Sequence, residues 1–444
     1  MKIMSKKKET VAVCGLGYVG YPVAMLFADA GFEVIGVDIL EERVEKLNKG
    51  ENPIKGEEPG LDELVKSVFE KGNFKATTDF TEYKDANYII VAVQTPVAEE
   101  NKIPTYTNLK SALKSIGAKM KKGVTVIVES TIAPTTMRDV VKPILEQESG
   151  MVAGKDFYLS NCPERLMPGH LIENIKYYNR VVGGWTPKCS QKVIELYKNV
   201  IQGELQPTDC ITAEIVKAGE NTYRDVQIAF ANEMALVCEG YGANVWEVRE
   251  LINNCKKITD TRPEALRQMH FPGAGVGGHC IPKDSWLLIS VIRESIDPKL
   301  IPTARYINDF MPVHMYELFK KAIKETNKDL KKVQVLVLGY SYDANSDDDR
   351  NTPTEFFVSE LKKAGIKYEI HDCYIDKYKW DLEESLKGKD VIVLMTAHDE
   401  YKDLKYPFMK KLMKKIPIII DGRNIFKKEL ARKSGFIYKG VGNI

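Results

Sequence analysis

The sequence predicts an α/β protein in which two parallel-sheet domains are joined by a long helix. Strand-like runs alternate with segments of helical period from Glu9 to about Val200, and strand-like runs return after about Glu325. Between these regions, the residues from Thr208 to about Asn254 form one long helical pattern. Because strands that alternate with helices usually pair in parallel, each alternating region is expected to form a mainly parallel sheet.

Short apolar runs mark the expected strands of both regions. In the first region they are TVAVCG, FEVIGVD, NYIIVAV, VTVIVEST, FYLSNCP and NRVVGG. In the second they are KVQVLVLGY, IKYEIHD, DVIVLMTA and IPIIIDGR. We therefore expect a second, smaller α/β domain that runs to the end of the chain.

Composition limits the function classes. The 444 residues are enough for about three domains, and 64 basic against 62 acidic residues give a net charge of +2. No apolar stretch approaches the roughly 20 residues that span a bilayer, and the basic start MKIMSKKKET is followed by a strand-like run without a signal region. We expect a cytoplasmic protein with no nucleic-acid or membrane partner.

The eight cysteines are scattered, with no C-x-x-C pair and no Cys/His cluster at zinc-ligand spacing. We therefore expect neither disulfides nor a metal site. Most of these cysteines should be small buried hydrophobic residues.

A glycine motif lies between the first strand and the first helix. Gly15, Gly17 and Gly20 have G-x-G-x-x-G spacing, and the next strand ends in Asp38. Glycines allow backbone to approach a pyrophosphate at the helix N-terminus, and the carboxylate can bind the adenosine ribose. This context predicts a Rossmann-like domain and favours NAD over NADP. A tight turn without a ligand, a flavin dinucleotide and an adenosyl group remain alternatives.

The long helical run carries both apolar and polar candidates. Its apolar residues recur at helical spacings and predict that much of the helix is buried, with a second subunit as the candidate partner. They are Ile215, Tyr223, Val226, Phe230 and Val237. Lys217 and Asn221 share one face and could hold an oxyanion or a water, with Glu214 on the same side. The alternative is an exposed lysine paired with Glu214 or Glu220.

Two further segments are candidates for the site. SNCPERLMPG places Glu164 and Arg165 at a strand end, either as ligand contacts or as a surface salt bridge. FPGAGVGGHCIPKD places Cys280 in a glycine-rich loop that brings backbone close to a ligand. Cys280 could be a nucleophile activated by Lys283 and His279, a structural cysteine, or a metal ligand.

A nucleophilic thiol beside NAD suggests a specific chemistry. The thiol can trap an aldehyde as a thiohemiacetal, which loses a second hydride to give a thioester that water hydrolyses. The expected product is a carboxylate, with two NAD reduced per turnover. A single-step 3-hydroxyacid dehydrogenase, which does not need the thiol, and a non-enzymatic nucleotide-sugar binding protein remain alternatives.

Seven ordered motifs together resemble the UDP-glucose/GDP-mannose dehydrogenase family of NAD-dependent nucleotide-sugar 6-dehydrogenases. They are GLGYVG, STIAP, CPERLMPG, AEIVKAGENTYR, GVGGHCIPKD, NSDDDRNTP and IIIDGRNIF. The resemblance implies an NAD-binding Rossmann domain over 1–205, a central helical dimerisation domain over 206–320, and a UDP-binding Rossmann-like domain over 321–444. It also implies a homodimer or higher homo-oligomer and a role in polysaccharide biosynthesis.

The resemblance implies oxidation of the C6 hydroxyl of a UDP-N-acetylhexosamine. CPER and GGHC resemble the branch that acts on UDP-N-acetylhexosamines, whereas IPKD resembles the glucose branch. Within the first branch, the overall resemblance implies UDP-N-acetyl-D-mannosamine, converted to its uronate. UDP-N-acetylglucosamine and UDP-glucose therefore remain alternative substrates.

Roles follow from the resemblance, motif by motif. The implied catalytic residues are Cys280, Lys217, Asn221, Asp284, Glu164 and Thr131. The implied NAD contacts are Gly15, Gly17, Tyr18, Val19, Gly20, Asp38, Arg43, Thr95, Thr131 and Arg350. The implied substrate contacts are Glu164, Arg165, Leu166, Lys217, Asn221, Gly275, Tyr342 and Arg423. Two positions depart from the family pattern: Asp343 replaces a usual lysine, and Gln94 changes the residue before Thr95.

Overall fold

The computed structural model describes residues 9–54, 58–167, 169–254, 268–292 and 295–444. The chain divides into two compact units. The first comprises residues 1–220 and 286–296, and the second comprises 221–285 and 297–444. Cys255 and the basic residues of MKIMSKKK lie outside the described residues. The borders near 205 and 320 and the division into three domains remain predictions.

The first unit is built on an eight-stranded sheet in the order β3-β2-β1-β4-β5-β6-β7-β8. All neighbours in it pair in parallel except β6 and β7. Its strands are β1 Thr10–Cys14, β2 Glu33–Val37, β3 Phe74–Thr77, β4 Tyr88–Val91, β5 Thr125–Val128, β6 Tyr158–Asn161, β7 Arg180–Gly184 and β8 Leu205–Asp209. The prediction of a mainly parallel sheet is confirmed; β3 and β8 were not predicted.

The helices of the first unit connect these strands. They are α1 Gly20–Asp29, α2 Glu41–Asn48, α3 Leu61–Lys71, α4 Thr107–Gly117, α5 Lys142–Ser149, α6 Leu171–Tyr177 and α7 Pro187–Tyr197. A 3-10 turn spans Phe80–Asp85, and a π-helical turn at Met137–Val141 leads into α5. The central strands β4 and β5 are buried throughout, because helices cover both faces of a parallel sheet.

The long helix is confirmed, although it is shorter than predicted. α8 spans Cys210–Tyr241, and a separate helix α9 spans Val245–Asn253. Gly242 separates them with a positive φ of 72°, a conformation that costs glycine little. The Asn244 side chain then accepts a hydrogen bond from Trp246 N and caps α9. The prediction of one continuous helix to about Asn254 is therefore wrong at this break.

The apolar stripe of α8 is not buried by the chain itself. Tyr223 is 65% exposed and Phe230 is 54% exposed, while Ile215 and Val237 are also exposed. Only Val226 of the predicted set is half-buried. The single chain does not supply the predicted burial of this stripe, and packing against a second subunit remains a prediction.

The second unit contains a five-stranded parallel sheet in the order β10-β9-β11-β12-β13. Its strands are β9 Gln334–Leu338, β10 Lys367–His371, β11 Val391–Leu394, β12 Ile418–Asp421 and β13 Ile437–Gly440. The four predicted strands are present, and β13 was not predicted. The second α/β domain is therefore present up to β13, near the end of the chain.

Seven further helices follow α9 among the described residues. They are α10 Ile281–Ile289, α11 Leu300–Lys324, α12 Pro353–Lys363, α13 Leu382–Leu386, α14 Asp399–Lys402, α15 Tyr406–Leu412 and α16 Lys428–Lys433, with a 3-10 turn at Asp376–Tyr378. Among the described helices, none combines the length and apolarity that crossing a bilayer requires.

Candidate active site

The glycine loop between β1 and α1 has the shape that a dinucleotide requires. Gly15 has φ +90°, and a Cβ there would lie 2.6 Å from the Ala92 carbonyl oxygen. A Cβ at Gly20 would lie 1.9 Å from the Gly15 carbonyl oxygen. By contrast, no atom lies within 4 Å of a Cβ at Gly17, so open space remains above the loop. The residues therefore fit a pyrophosphate at the N-terminus of α1.

Asp38, directly after β2, holds the glycine loop by hydrogen bonds, in addition to its predicted contact with a ribose. Its buried carboxylate accepts hydrogen bonds from Leu16 N at 2.8 Å and Leu40 N at 3.0 Å. Arg43 Nη1 lies 2.9 Å from Asp38 Oδ2. Asp38 thus fastens the glycine loop to β2, and Arg43 balances the charge at the same edge.

The ends of β4 and β5 are joined by side-chain hydrogen bonds. Thr95 Oγ1 donates to the Thr131 carbonyl oxygen at 2.6 Å. Ser130 Oγ donates to the Val93 carbonyl oxygen at 2.7 Å and accepts from Val93 N at 2.9 Å. Thr95 and Thr131 are both buried. Because they follow the ends of β4 and β5, they lie at the carboxyl edge of the sheet, where α/β proteins bind ligands.

Two predicted NAD contacts lie directly before α1. Tyr18 and Val19 are half-buried, and Val19 is the residue that precedes the helix. Tyr18 also packs against the hydrophobic core of the first unit. Their backbone lies in the segment between Gly17 and Gly20 that a pyrophosphate would face.

Lys217 is buried and paired with Glu164 in the first unit. Its side chain is 7% exposed, and its ammonium lies 3.5 Å from Glu164 Oε1. Glu164 is also buried, and its Oε2 accepts a hydrogen bond from Leu166 N. A buried ammonium requires such a partner, because an unpaired buried charge is costly. The alternative of an exposed lysine is therefore wrong.

The two glutamates of that alternative have other partners. Glu214 is buried and accepts hydrogen bonds from Thr135 N at 2.8 Å and Met137 N at 2.7 Å. Burial raises the pKa of Glu214 to about 7, although these N–H donors lower it. Glu220 accepts a hydrogen bond from Arg165 Nε at 3.0 Å. Arg165 thus forms a salt bridge with Glu220, which agrees with the interpretation of SNCPERLMPG as a salt-bridged turn.

Cys280 lies immediately before α10 and is half-buried. Its carbonyl oxygen accepts hydrogen bonds from Lys283 N at 3.1 Å and Asp284 N at 2.9 Å, which makes it the first capping residue of this helix. The N-terminus of a helix carries partial positive charge and lowers the cost of forming a thiolate. The thiol is therefore placed where activation is favourable.

A buried carboxylate follows one turn later. Asp284 accepts a hydrogen bond from Asn221 Nδ2 at 2.6 Å through Oδ2, and from Lys283 Nζ at 2.7 Å through Oδ1. Asp284 is fully buried and Lys283 is largely buried. The structure thus brings together Asn221 and Asp284, two residues that lie 63 positions apart.

The double glycine before Cys280 is required by close packing. A Cβ at Gly277 would lie 2.4 Å from Tyr342 Cβ, and one at Gly278 would lie 2.9 Å from Tyr342 Cζ. Gly278 N also donates to the Arg350 carbonyl oxygen at 2.9 Å. Gly275 is buried beside Pro312 and Pro353. The loop is therefore held against Tyr342 by backbone contact.

The expected activation by His279 is wrong. Burial, together with the charges of Lys283 and Arg350, lowers the pKa of His279 to about 4, so its ring is neutral at pH 7. Arg350 is a cation that interacts with Cys280. The pKa of Arg350 is raised, chiefly by hydrogen bonds to Asp348 and further by the charges of Asp348, Tyr342 and Cys280, while burial opposes the shift.

Arg423 lies beside the start of the same loop. A Cβ at Gly273 would lie 2.7 Å from Arg423 Nη1, and Arg423 Nε donates to the Met395 carbonyl oxygen at 2.8 Å. Desolvation lowers the pKa of Arg423, and the charge of Asp343 opposes this effect. Asp343 thus lies near the arginine expected to bind a diphosphate.

Comparison with known proteins decides the family. Models of the UDP-glucose/GDP-mannose dehydrogenase family match the chain in three segments: the NAD binding domain at 9–201, the central domain at 211–310 and the UDP binding domain at 336–428. The chain belongs to the UDP-glucose/GDP-mannose dehydrogenase family. It is therefore an NAD-dependent sugar-nucleotide dehydrogenase.

Two members of this family illustrate the similarity. A UDP-N-acetyl-D-mannosamine dehydrogenase from Pyrococcus horikoshii is 38% identical over 97% of this chain and 99% of its own, and a solved structure of that enzyme has a TM-score of 0.90. The crystal structure of an NDP-N-acetyl-D-galactosaminuronic acid dehydrogenase from Methanosarcina mazei is 38% identical, with a TM-score of 0.85. It covers 98% of this chain and 95% of its own.

One cluster of possible metal ligands was not predicted in this dehydrogenase. In the described part of the chain, Asp372, Cys373 and His398 lie close enough to hold a metal ion. However, the Asn345 N–H donates to His398 Nδ1 at 2.9 Å, so the His398 Nε2–H faces Asp372 Oδ2 at 3.1 Å. The ring therefore directs a proton at the carboxylate, which makes a shared metal ion a poor fit.

Proposed function

We propose that the chain catalyses the NAD-dependent four-electron oxidation of the C6 hydroxyl of UDP-N-acetyl-D-mannosamine to UDP-N-acetyl-D-mannosaminuronate. The observation that carries this proposal is the half-buried Cys280 thiol at the N-terminus of α10. A single oxidation of an alcohol has no use for such a thiol, whereas oxidation to a carboxylate needs one.

The cofactor part of the proposal rests on the first unit. NAD, when bound, accepts one hydride from C6 in each of two oxidations. Gly15, Gly17 and Gly20 would bring backbone close to its pyrophosphate, and Asp38 would accept from the ribose hydroxyls. Tyr18, Val19, Arg43, Thr95, Thr131 and Arg350 are proposed as its other contacts.

Cys280 acts on the aldehyde formed by the first oxidation. Its sulfur bonds to C6 while the aldehyde oxygen takes up a proton, giving a thiohemiacetal. The second hydride loss leaves a thioester, and a water molecule then adds at C6 as the carbon–sulfur bond breaks. The sulfur regains a proton and the acid loses one. Overall, one alcohol, two NAD⁺ and one water give one carboxylate, two NADH and three protons.

Polar side chains would support these steps. Lys217 and Asn221 would donate to the negative oxygen on C6, as preorganised donors stabilise such charge. Asp284, held by Lys283 and Asn221, would order the attacking water or take its proton. Glu164 and Thr131 are proposed to assist through water.

The substrate contacts are proposed from the same loops. Tyr342 and Arg423 would hold the uridine diphosphate, and Gly275 would present backbone to it. Arg165 and Leu166 would contact the substrate from the turn after β6. Asp343 places a negative charge near Arg423, so we expect Arg423 to supply much of the positive charge for the diphosphate.

The sugar is the least constrained part of the proposal. The name of the Pyrococcus horikoshii relative supports the mannosamine sugar. The Methanosarcina mazei enzyme, which has the same sequence identity of 38%, supports a galactosamine sugar as the second candidate. UDP-N-acetylglucosamine and UDP-glucose are the remaining candidate substrates.

Steady-state rates on the four UDP-sugars, followed by NADH absorbance, test this choice. We expect kcat/KM to be highest for UDP-N-acetyl-D-mannosamine. A higher value for UDP-N-acetylgalactosamine would replace the mannosamine assignment and leave the covalent chemistry in place. NADH formation without any uronate from all four sugars would contradict the proposed reaction.

The assembly and location are also proposals. We infer a cytoplasmic homodimer that buries the exposed stripe of α8, because Ile215, Tyr223, Phe230 and Val237 repeat at spacings of seven or eight. Such repeats are typical of one helix packing against another. Light scattering on wild type and Phe230→Asp would test it: the variant should be monomeric.

A further inference from the structure

A buried polar network in the second unit lies outside the residues assigned above. Its members come from α8, α10 and α11 and are each at most 1% exposed. They are Asp225, Asn232, Ser285, Arg305 and Asn308. Burying so many polar side chains is costly unless each is hydrogen-bonded.

Asp225 is the centre of the network. Its Oδ2 accepts from Ser285 Oγ at 2.9 Å. Its Oδ1 accepts from Arg305 Nη1 at 2.5 Å and from Asn308 Nδ2 at 2.7 Å. Asn308 Nδ2 also donates to the Asp225 carbonyl oxygen at 3.0 Å. One carboxylate therefore joins three helices.

The network continues to the start of the thiol loop. Asn232 Nδ2 donates to Asn308 Oδ1 at 2.8 Å, and Asn232 Oδ1 accepts from Gly273 N at 2.9 Å. The nitrogen and the oxygen of the Asn232 amide both have partners, which fixes the orientation of the amide. The Asn308 amide is fixed in the same way, because its nitrogen donates to Asp225. Gly273 is a backbone donor of the loop itself.

The two ends of the network meet the two ends of one segment. Gly273 begins the segment that carries Cys280, and Ser285 ends it, directly after Asp284. Asp225 also lies four residues after Asn221 on α8, and so on the same face of that helix. The network can therefore fix the thiol loop and the Asn221–Asp284 hydrogen bond relative to the same helix.

We propose that this network is a positioning device for Cys280: Asp225 holds Ser285 at one end of the 273–285 segment, and Asn232 holds Gly273 at the other, with both anchors on α8. The use of this positioning in catalysis rests on the proposed function, whereas the tethering itself does not. A purely stabilising network would change how much protein folds without changing how the thiol reacts once folded.

The test uses Ser285→Ala and Asn232→Ala in the full chain, with Ser290→Ala as the matched control. Ser290 Oγ donates to the Leu287 carbonyl oxygen at 2.9 Å, just beyond the end of α10. Ser285→Ala and Ser290→Ala each remove one side-chain hydrogen bond, and Asn232→Ala removes two. Arg305 keeps its pairing with Asp225 in all three variants. If one probe variant does not fold, the other still tests its own end of the segment.

The deciding measurement is the alkylation rate of Cys280 by iodoacetamide, followed by peptide mass spectrometry. Cys373, also half-buried, is the internal reference. We expect Cys280 alkylation to change by about threefold or more in both probe variants, with Cys373 and the Ser290→Ala variant unchanged, since small displacements alter reaction rates strongly. An unchanged Cys280 rate in folded probe variants overturns the proposal.

Turnover then links positioning to the reaction. We expect kcat to fall about tenfold in Ser285→Ala with KM for NAD unchanged, and free aldehyde to be trapped by hydroxylamine. If Cys280→Ala makes uronate at the wild-type rate, the proposed function fails, but the alkylation result still decides whether the tethers position the thiol.

Discussion

The two sheets of the molecule begin with the same turn. Gly15 follows β1 with φ +90°, and Gly339 follows β9 with φ +87°. Gly15 N donates to the Val37 carbonyl oxygen at 2.8 Å, and Gly339 N donates to the His371 carbonyl oxygen at 2.9 Å. Each turn therefore closes against the end of the neighbouring strand in the same way.

A carboxylate completes each turn. Asp38 accepts from Leu16 N at 2.8 Å, and Asp372 accepts from Tyr340 N at 2.6 Å. In both cases the donor is the residue after the glycine, and the aspartate ends the neighbouring strand. We call this pairing of a glycine turn with a carboxylate the frame: Gly15 and Asp38 form it in the first unit, and Gly339 and Asp372 form it in the second.

The frames differ in what lies above the glycine. In the first unit Gly17 faces open space, and α1 begins at Gly20. In the second unit buried Ser341 replaces the open position, and its hydroxyl lies 3.3 Å from the buried ring of His398. The segment that follows is longer, and α12 begins only at Pro353.

The same arrangement of glycine and carboxylate therefore serves two purposes. The first carboxylate keeps capacity for a ligand, whereas Asp372 accepts from five N–H groups: those of Tyr340, Ser341, Tyr374, Ile375 and the His398 ring. The first turn is thus suited to a pyrophosphate. The second holds the loop that carries Tyr342 and Arg350 against the thiol segment.

The largest expected effect is on the open turn. Gly20→Ala would place a methyl group 1.9 Å from the Gly15 carbonyl oxygen. We expect NAD affinity, measured by calorimetry, to fall more than about 100-fold, because the turn must shift away from the pyrophosphate. Gly17→Ala is the matched control for steric clash, since no atom opposes its methyl group: it should keep the thermal stability of wild type and lose NAD affinity only through the space it fills. Equal destabilisation by both substitutions would contradict this account of the turn.

The second frame should be more sensitive to loss of its carboxylate charge. We expect Asp372→Asn to lower the local free energy of unfolding by about 3 kcal/mol, because an amide group would face donors that need an acceptor. Asp38→Asn should cost about 1 kcal/mol, since Asp38 has fewer donors and one of them is the half-exposed Arg43. Native-state hydrogen exchange of β9 and β10, compared with β1 and β2, measures both losses. If the two losses were equal, the contrast between the frames would be lost.

The smallest expected effect is a pH dependence of the second frame. Burial would raise the pKa of Asp372, but hydrogen bonds from His398, Ser341 and Tyr340 lower it to about 2. Because the folded pKa lies below the unfolded value of 3.8, the stabilisation is present above about pH 4 and is lost as the pH falls towards 2. The difference in unfolding free energy between wild type and Asp372→Asn should shrink by about 2 kcal/mol over this range. A difference independent of pH would show that the charge of Asp372 does not stabilise the frame.

Local patterns were sufficient to predict much of the fold. The turn at Gly15, the helix after it and Asp38 follow from one motif, and the long helix follows from its apolar period. β3, β8 and β13 were missed because FKAT, LQPTD and IYKG mix polar and apolar residues in four or five positions. The break at Gly242 is indicated in the sequence by the glycine itself and by Asn244, because glycine often ends a helix and asparagine often begins one.

The sequence predicted candidate residues for the site, and their roles remain predictions; it did not predict their contacts. Cys280 was recognised by its glycines, but its nearby cation Arg350 lies seventy positions away, whereas neighbouring His279 is neutral. The pairing of Asp372 with His398 likewise joins distant segments. Charges and partners in a buried site depend on such tertiary contacts, which spacing along the chain does not reveal.

The most direct test of the central claim is the stoichiometry of wild type and Cys280→Ala with UDP-N-acetyl-D-mannosamine and NAD. The covalent mechanism requires two NADH per uronate for wild type. It predicts no uronate for the variant, with NAD binding retained, because the glycine turn and Asp38 are unchanged. Uronate formation by Cys280→Ala at the wild-type rate, or one NADH per product in wild type, would contradict the account.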